Sequence, residues 1–178
     1  MIPTRGLRLS SNVAYTDVVF TNFPNGPCYP GELLLAASAC HAQGPTFVQD
    51  LRDQRLNNAP RWAFTVGAAY VTPTGYRDLK FFADVNVAYR SAVNFSLSQD
   101  PNTVQAAYAI LNVDTGLETA DGHLKLSVFA RNLTNEHYAS SIFATSFQAG
   151  GARAPAGYSQ FFTEGARRIV GLSLSGKF

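Results

Sequence analysis

The residues of this chain whose types invite chemistry are two cysteines and three histidines. Cys28 and Cys40 stand twelve positions apart in one loop-like segment. Three readings fit them. A disulfide would close that loop and imply an oxidising compartment. Two free thiols need no partner. A metal site completed by His41 lacks a fourth ligand at a usable spacing. His123 falls in a tight turn and His137 just past a strand end, so no histidine stands at zinc-ligand spacing, and no nucleophile has a base beside it. There is no glycine-rich phosphate loop: Gly150-Gly151 runs into Ala152-Arg153-Ala154-Pro155. These residues argue against an enzyme and against a bound cofactor. Asn94-Phe-Ser96 and Asn132-Leu-Thr134 match the glycosylation triplet, a pattern that also arises by chance.

The elements that carry these residues are strands. The chain has 178 residues, enough for one core. Its net charge of +2 gives no bias toward nucleic acid, and its 15% charged residues fall below the ~25% of soluble domains. Apolar runs such as Leu33 to Ala37 are far short of the ~18 residues of a membrane helix. The start, Met1-Ile2-Pro3-Thr4-Arg5, has no apolar signal region, which fits a cytoplasmic protein or a piece of a longer chain. Six segments alternate apolar and polar residues with period two: 6–20, 60–72, 79–91, 106–119, 123–134 and 167–178. Only Glu32 to Ala39 is helix-competent. Tight turns at Thr72–Asp78 and Ala120–His123 alternate with longer connections at 21–59, 92–105 and 135–166. Short and long connections therefore fall at opposite ends of the sheet.

Alternation sorts the strands into two faces. One carries Leu7, Leu9, Val13, Trp62, Phe64, Val66, Phe81, Val85, Leu111, Val113, Leu117, Leu126, Val128, Leu172 and Leu174, and no charge. The other holds Gly, Ser, Thr and Asn with the mixed charges Arg8, Lys80, Asp84, Arg90, Asp114, Glu118, Lys125 and Arg131; Arg131 and Asp114 lie within pairing reach across one hairpin. A soluble sandwich or lipocalin-like barrel with the apolar face inward fits this pattern. So does a membrane barrel with that face outward, and three features favour the second. Tyr15, Trp62, Tyr70, Tyr89, Tyr108 and Phe178 cluster near strand ends, as in aromatic girdles. Turns and long loops alternate. The polar face is poor in Lys and Glu. Trp62 to Tyr70 alone rises about 19 Å at ~45° tilt, less than the ~25 Å apolar band.

The last sixty residues carry a resemblance. Leu124-Lys-Leu-Ser-Val-Phe-Ala-Arg-Asn-Leu-Thr-Asn-Glu-His-Tyr138 is similar to the penultimate strand of TonB-dependent outer-membrane receptors. Arg167-Arg-Ile-Val-Gly-Leu-Ser-Leu-Ser-Gly-Lys-Phe178 resembles their final strand with its C-terminal aromatic. Asn58-Ala-Pro-Arg-Trp62 and Tyr89-Arg-Ser91 resemble strand boundaries of the same family. The resemblance spans most of 57–178. It implies the C-terminal six strands of a 22-stranded barrel, with periplasmic turns, extracellular loops, and no plug domain or TonB-contacting box in this chain. It implies open edges at the first and last strands, which lipid does not tolerate. It implies uptake of a scarce solute, most often a ferric siderophore, energised by the TonB complex through a plug. It further implies the outer membrane of a Gram-negative bacterium, lipid and the remainder of the barrel as neighbours, and Phe178 as the signal read by the barrel-assembly machinery. Substrate contacts in such receptors come from loops, here 21–58 and 135–166; the second holds Tyr138, Phe143, Phe147, Arg153, Tyr158, Phe161 and Phe162. These suit an anionic aromatic chelate and equally suit loop packing, so no ligand residue is assigned. A passive porin-like barrel shares the same strands and girdles.

Overall fold

The period-two segments fold as strands in a computed structural model that describes residues 6–145 and 151–177. In chain order the strands are Leu7–Tyr15 (β1), Gly26–Pro27 (β2), His41–Gln43 (β3), Thr46–Gln49 (β4), Trp62–Pro73 (β5), Leu79–Arg90 (β6), Val93–Asn94 (β7), Val104–Gln105 (β8), Tyr108–Thr119 (β9), Leu124–Arg131 (β10), Ala139–Ala144 (β11), Tyr158–Phe162 (β12) and Ile169–Gly176 (β13). Six of them form one antiparallel sheet in the order β1-β5-β6-β9-β10-β13. Every neighbour in that sheet except β1 to β5, β6 to β9 and β10 to β13 is joined by a short turn. The sheet is open: among the described residues β1 and β13 each pair on one side. Each of the six expected segments holds one of these strands.

The ends have local causes. The first strand stops at Tyr15, before the expected 20, because Thr16 N already bonds Arg61 O (2.9 Å) and the chain turns away. The fifth expected segment stops at Arg131, because Asn132 adopts a left-handed backbone (φ 50°). The helix-competent stretch Glu32 to Ala39 forms only a single 3₁₀ turn, Glu32–Leu34, and Leu35 is extended. Eight residues without a tertiary face to bury are too few to hold a helix. The two short turns are built as expected. Thr74 N bonds Leu79 O (2.9 Å), and Asp121 Oδ1 accepts from Thr119 Oγ1 (2.5 Å) and His123 N (3.1 Å).

Where the core sits is the less expected part. In the six-stranded sheet only Phe82 and Ser127 are buried. The other buried residues lie in the long connections: Gly26, Glu32, Cys40, Val48, Gln49, Leu51, Val93, Ser98, Asp100, Thr103, Asn132, Ala139, Ile142 and Ala166. The connections carry small sheets of their own, β2-β4-β3, β7-β8 and β11-β12. They form a packed cap at one end of a bare sheet.

Candidate functional site

Three surfaces meet in this fold. The first is the apolar face. The register sets Leu9, Ala68, Val85, Val113, Ala130 and Val170 in one row, and Leu7, Tyr70, Ala83, Thr115, Val128 and Leu172 in the next. No charge interrupts these rows, as the alternation predicted. Nothing in the described residues covers them: Leu172 is 75% exposed, Leu174 69% and Val13 66%. An apolar patch six strands wide far exceeds what a water-exposed monomer surface carries. Aromatic residues gather toward the loop end, where Tyr15 packs on Trp62 (4.6 Å between centroids) and Phe64 stacks on Tyr89 (4.7 Å). Tyr108 does not belong to this set. Its strand position pairs with Arg90, on the polar face, and its ring stacks on Tyr138 at 4.2 Å.

The second surface is the polar face, and the register gathers all eight expected charges on it. Arg8, Ala69, Asp84 and Asp114 form one row, and Lys80, Glu118 and Lys125 another. Arg131 approaches Asp114 at 4.0 Å, the longest reach of an ion pair. Asp84 sits directly across from Asp114, an unfavourable like-charge pair, and Asp114 Oδ1 is buried without a donor. Around them Arg8, Ser10, Gly67, Asn86 and Asn112 line a shallow depression of about 190 Å³.

Two aromatics on this face were not anticipated. Phe82 lies across from Gly116, and Lys125 Nζ stands 3.8 Å from its ring centroid. Phe129 lies across from Gly171, under the Arg131 guanidinium at 5.5 Å. Gly171 makes the second placement feasible, and Gly116 is required by close backbone approach rather than by Phe82. A Cβ at Gly171 would stand 2.6 Å from the Phe129 ring, and one at Gly116 would collide with the Leu126 carbonyl. The signal in the sequence was the coincidence of a polar-parity aromatic with a glycine on the neighbouring strand, legible only once the register is known.

The third surface is the loop cap, formed by a first loop (16–61), a second (91–107) and a third (132–168). Cys28 and Cys40 are bonded to each other in it, with Cα atoms 5.9 Å apart. That removes both sulfurs from the metal site drawn with His41, whose Nδ1 instead lies 3.5 Å from Ala39 O. His123 pairs with Asp121 (3.0 Å) in its exposed turn, at the opposite end of the sheet. Asp100, 1% exposed, accepts from Asn102 N (2.9 Å) and from the Tyr158 hydroxyl (2.6 Å). Burial and the Asp100 carboxylate together push the Tyr158 hydroxyl up from its ordinary range. Burial, with the Asp100 charge nearby, pushes the Glu32 carboxyl up, against the opposing pull of the Tyr29 amide. At the start of the first loop Arg61 holds Asp17 (3.1 Å) and keeps its carboxyl below the ordinary range.

Asn132 is the pin of the cap. It is 1% exposed, its amide donates to Glu136 O (2.8 Å) and Gly165 O (2.9 Å), and its Oδ1 accepts from Glu136 N (2.8 Å). The asparagine of the glycosylation triplet at 132–134 is thus buried and engaged, while Leu133 and Thr134 are exposed. Asn94 is engaged likewise, donating to Asp100 O and accepting from Ser96 N and Thr103 Oγ1.

Of the aromatic loop residues, Tyr138 is stacked, Tyr158 is hydrogen-bonded, and Arg153 lies 4.9 Å over the Phe47 ring. Phe143 and Phe161 stack on each other at 5.5 Å, and Phe161 and Phe162 are exposed. Phe147 and Phe178 lie outside the described residues. No helix is long and apolar enough to cross a membrane, which has no bearing on strands. Comparison with protein-family models, with curated proteins and with solved structures found no match to the chain.

Proposed function

We propose that this chain forms part of the barrel wall of a TonB-dependent outer-membrane receptor, corresponding to its last six strands and three extracellular loops. One observation carries the reading: an uncharged apolar face six strands wide, left bare, backed by a polar face that holds every sheet charge named above. The twelve-residue strands β5, β6 and β9 rise about 28 Å at ~45° tilt, enough for the ~25 Å apolar band. A soluble sandwich would need a second layer against this face. In lipid, bare backbone along β1 and β13 would cost several kcal/mol per unpaired group, so the reading requires further strands at both edges. The polar face then lines the lumen, the loop cap faces outward, and Phe178 serves the barrel-assembly machinery. The transported solute is a scarce one of the ferric siderophore type, and the energy comes from the TonB complex through a plug.

The test is refolding of the 178-residue chain with and without detergent micelles, followed by far-ultraviolet circular dichroism and sedimentation. β-Signal that appears only in detergent, with the chain sedimenting as assemblies that pair its open edges, supports the proposal. A stable monomer in plain buffer overturns it and makes the apolar face the core of a soluble binding module.

A further inference from the structure

At the loop end of the apolar face the aromatic rim meets two arginines. Tyr15 and Trp62, packed on each other at 4.6 Å, stand where the apolar rows of β1 and β5 end. The Tyr15 hydroxyl donates to Asp17 Oδ2 (3.3 Å), and Arg61 Cζ lies 6.0 Å from the centroid of the Tyr15 ring. Arg61 Nη2 reaches Asp17 Oδ1 at 3.1 Å, and Arg55 Nη2 reaches the same oxygen at 3.6 Å. Backbone bonds fix both ends of the first loop here, Thr16 N to Arg61 O (2.9 Å) and Leu56 N to Val18 O (3.0 Å). Among the described residues no other ring in the apolar rows has a cation over it.

The cluster is unbalanced in charge, since two guanidinium groups share one carboxylate. Among the described residues each arginine side chain hydrogen-bonds the protein through Nη2 alone, and Arg55 does so at length, with Thr16 O at 3.4 Å. Nε and Nη1 of both remain open to a further acceptor, and the two side chains are 40% and 46% exposed. The planar fork of a guanidinium matches the paired oxygens of a phosphate. Tyrosine and tryptophan together are the residues favoured at the layer where headgroups meet acyl chains.

We propose that Arg55 and Arg61 bind the phosphate of an anionic lipid headgroup at the loop end of the sheet, with Tyr15 and Trp62 against the start of its acyl chains. The inference rests on the receptor reading, because it needs the apolar face to lie in lipid. A purely structural role for the cluster makes a different demand. If the three charged residues only pin the ends of the first loop, Asp17 is the common partner, and its loss should do what the loss of an arginine does. If the arginines bind a headgroup, Asp17 competes with the phosphate for them, and its loss should strengthen binding.

The experiment places the whole chain in vesicles of phosphatidylcholine and phosphatidylglycerol, with one or the other lipid brominated on acyl carbons close to the headgroup. Trp62 is the sole tryptophan and stands at the site, so bromine quenching of its fluorescence reads which lipid lies beside it. The expected preference for phosphatidylglycerol is about fivefold, the worth of one uncompensated cation at an anionic surface. Arg55→Gln combined with Arg61→Gln should abolish it, and Asp17→Asn should raise it. Arg55→Gln alone gives up only the long side-chain contacts and should lower it, which keeps the test decisive where the double variant fails to fold. Inorganic phosphate, compared with chloride at the same ionic strength, should leave the preference in place. Its loss would mark a site for free phosphate and overturn the lipid assignment. Equal quenching by the two lipids overturns the proposal and leaves the receptor reading standing, and a fall of the preference in Asp17→Asn does the same. Quenching by neither lipid takes Trp62 out of lipid, and the receptor reading then falls together with the inference.

Discussion

A single arginine distinguishes lipid from water on the apolar face. Leu172 stands at the middle of β13, in the row that runs through Val128, Thr115, Ala83 and Tyr70 to Leu7. At 75% exposure it has little protein contact to lose. In water Leu172→Arg would therefore be a surface change, within about 0.5 kcal/mol of neutral. In a bilayer an arginine on the lipid face costs about 2–4 kcal/mol near the midplane, equivalent to roughly 30- to 900-fold in the unfolding equilibrium. Ser173, the next residue, lies on the polar face opposite Ser127 and is exposed there. Ser173→Arg should be near neutral in either setting. The assay is denaturant unfolding of both variants in lipid vesicles, followed by the fluorescence of Trp62, the sole tryptophan. Equal midpoints for the two variants would refute the reasoning, and so would a greater loss in Ser173→Arg.

Three further outcomes follow from the packing. Gly171→Ala should destabilise the sheet by about 1–3 kcal/mol through overpacking against Phe129, and pairing it with Phe129→Leu should recover part of the loss. A double-mutant cycle from equilibrium unfolding checks this, and strict additivity would contradict the contact. Asn132→Ala should cost about 2–4 kcal/mol, since it strands Glu136 N, Glu136 O and Gly165 O in the cap. Hydrogen exchange should then rise in 132–168 and leave β5 and β6 as they were. The Glu32 carboxyl has a folded-state pKa above its unfolded one, because burial disfavours its charge. The folded loop thus binds that proton more tightly than the unfolded chain does. Its contribution is fully present below the ordinary glutamate pKa and is lost as pH rises through the raised value. Protection of 28–40 should accordingly fall as pH rises through that window, and Glu32→Gln should flatten the profile.

The alternation of residue types determined the sheet by itself. Period two fixes which residues share a face, and a one-residue slip would have driven Arg8, Asp84 and Lys125 among the leucines. Hence the partition into faces, the antiparallel order through two tight turns and the loop-end position of the long connections were all legible. The strand ends were less so, since they depend on single residues such as Asn132 whose backbone turns left-handed. Tyr108 was misplaced for a related reason: an aromatic near a strand end looks the same from either face until its partner, Arg90, is known. Only the tertiary structure decided the rest. Residues that stabilise the cap are brought together across long stretches of chain, Tyr158 to Asp100 and Gln49 to Ser98, and polar contacts of that kind leave no period in the sequence. The same holds for Phe129 over Gly171, where an aromatic and a missing side chain on different strands meet because the register aligns them. Periodic patterns report local geometry, which repeats along the chain, whereas contacts between loops are set once, by where the strands they connect deliver their ends.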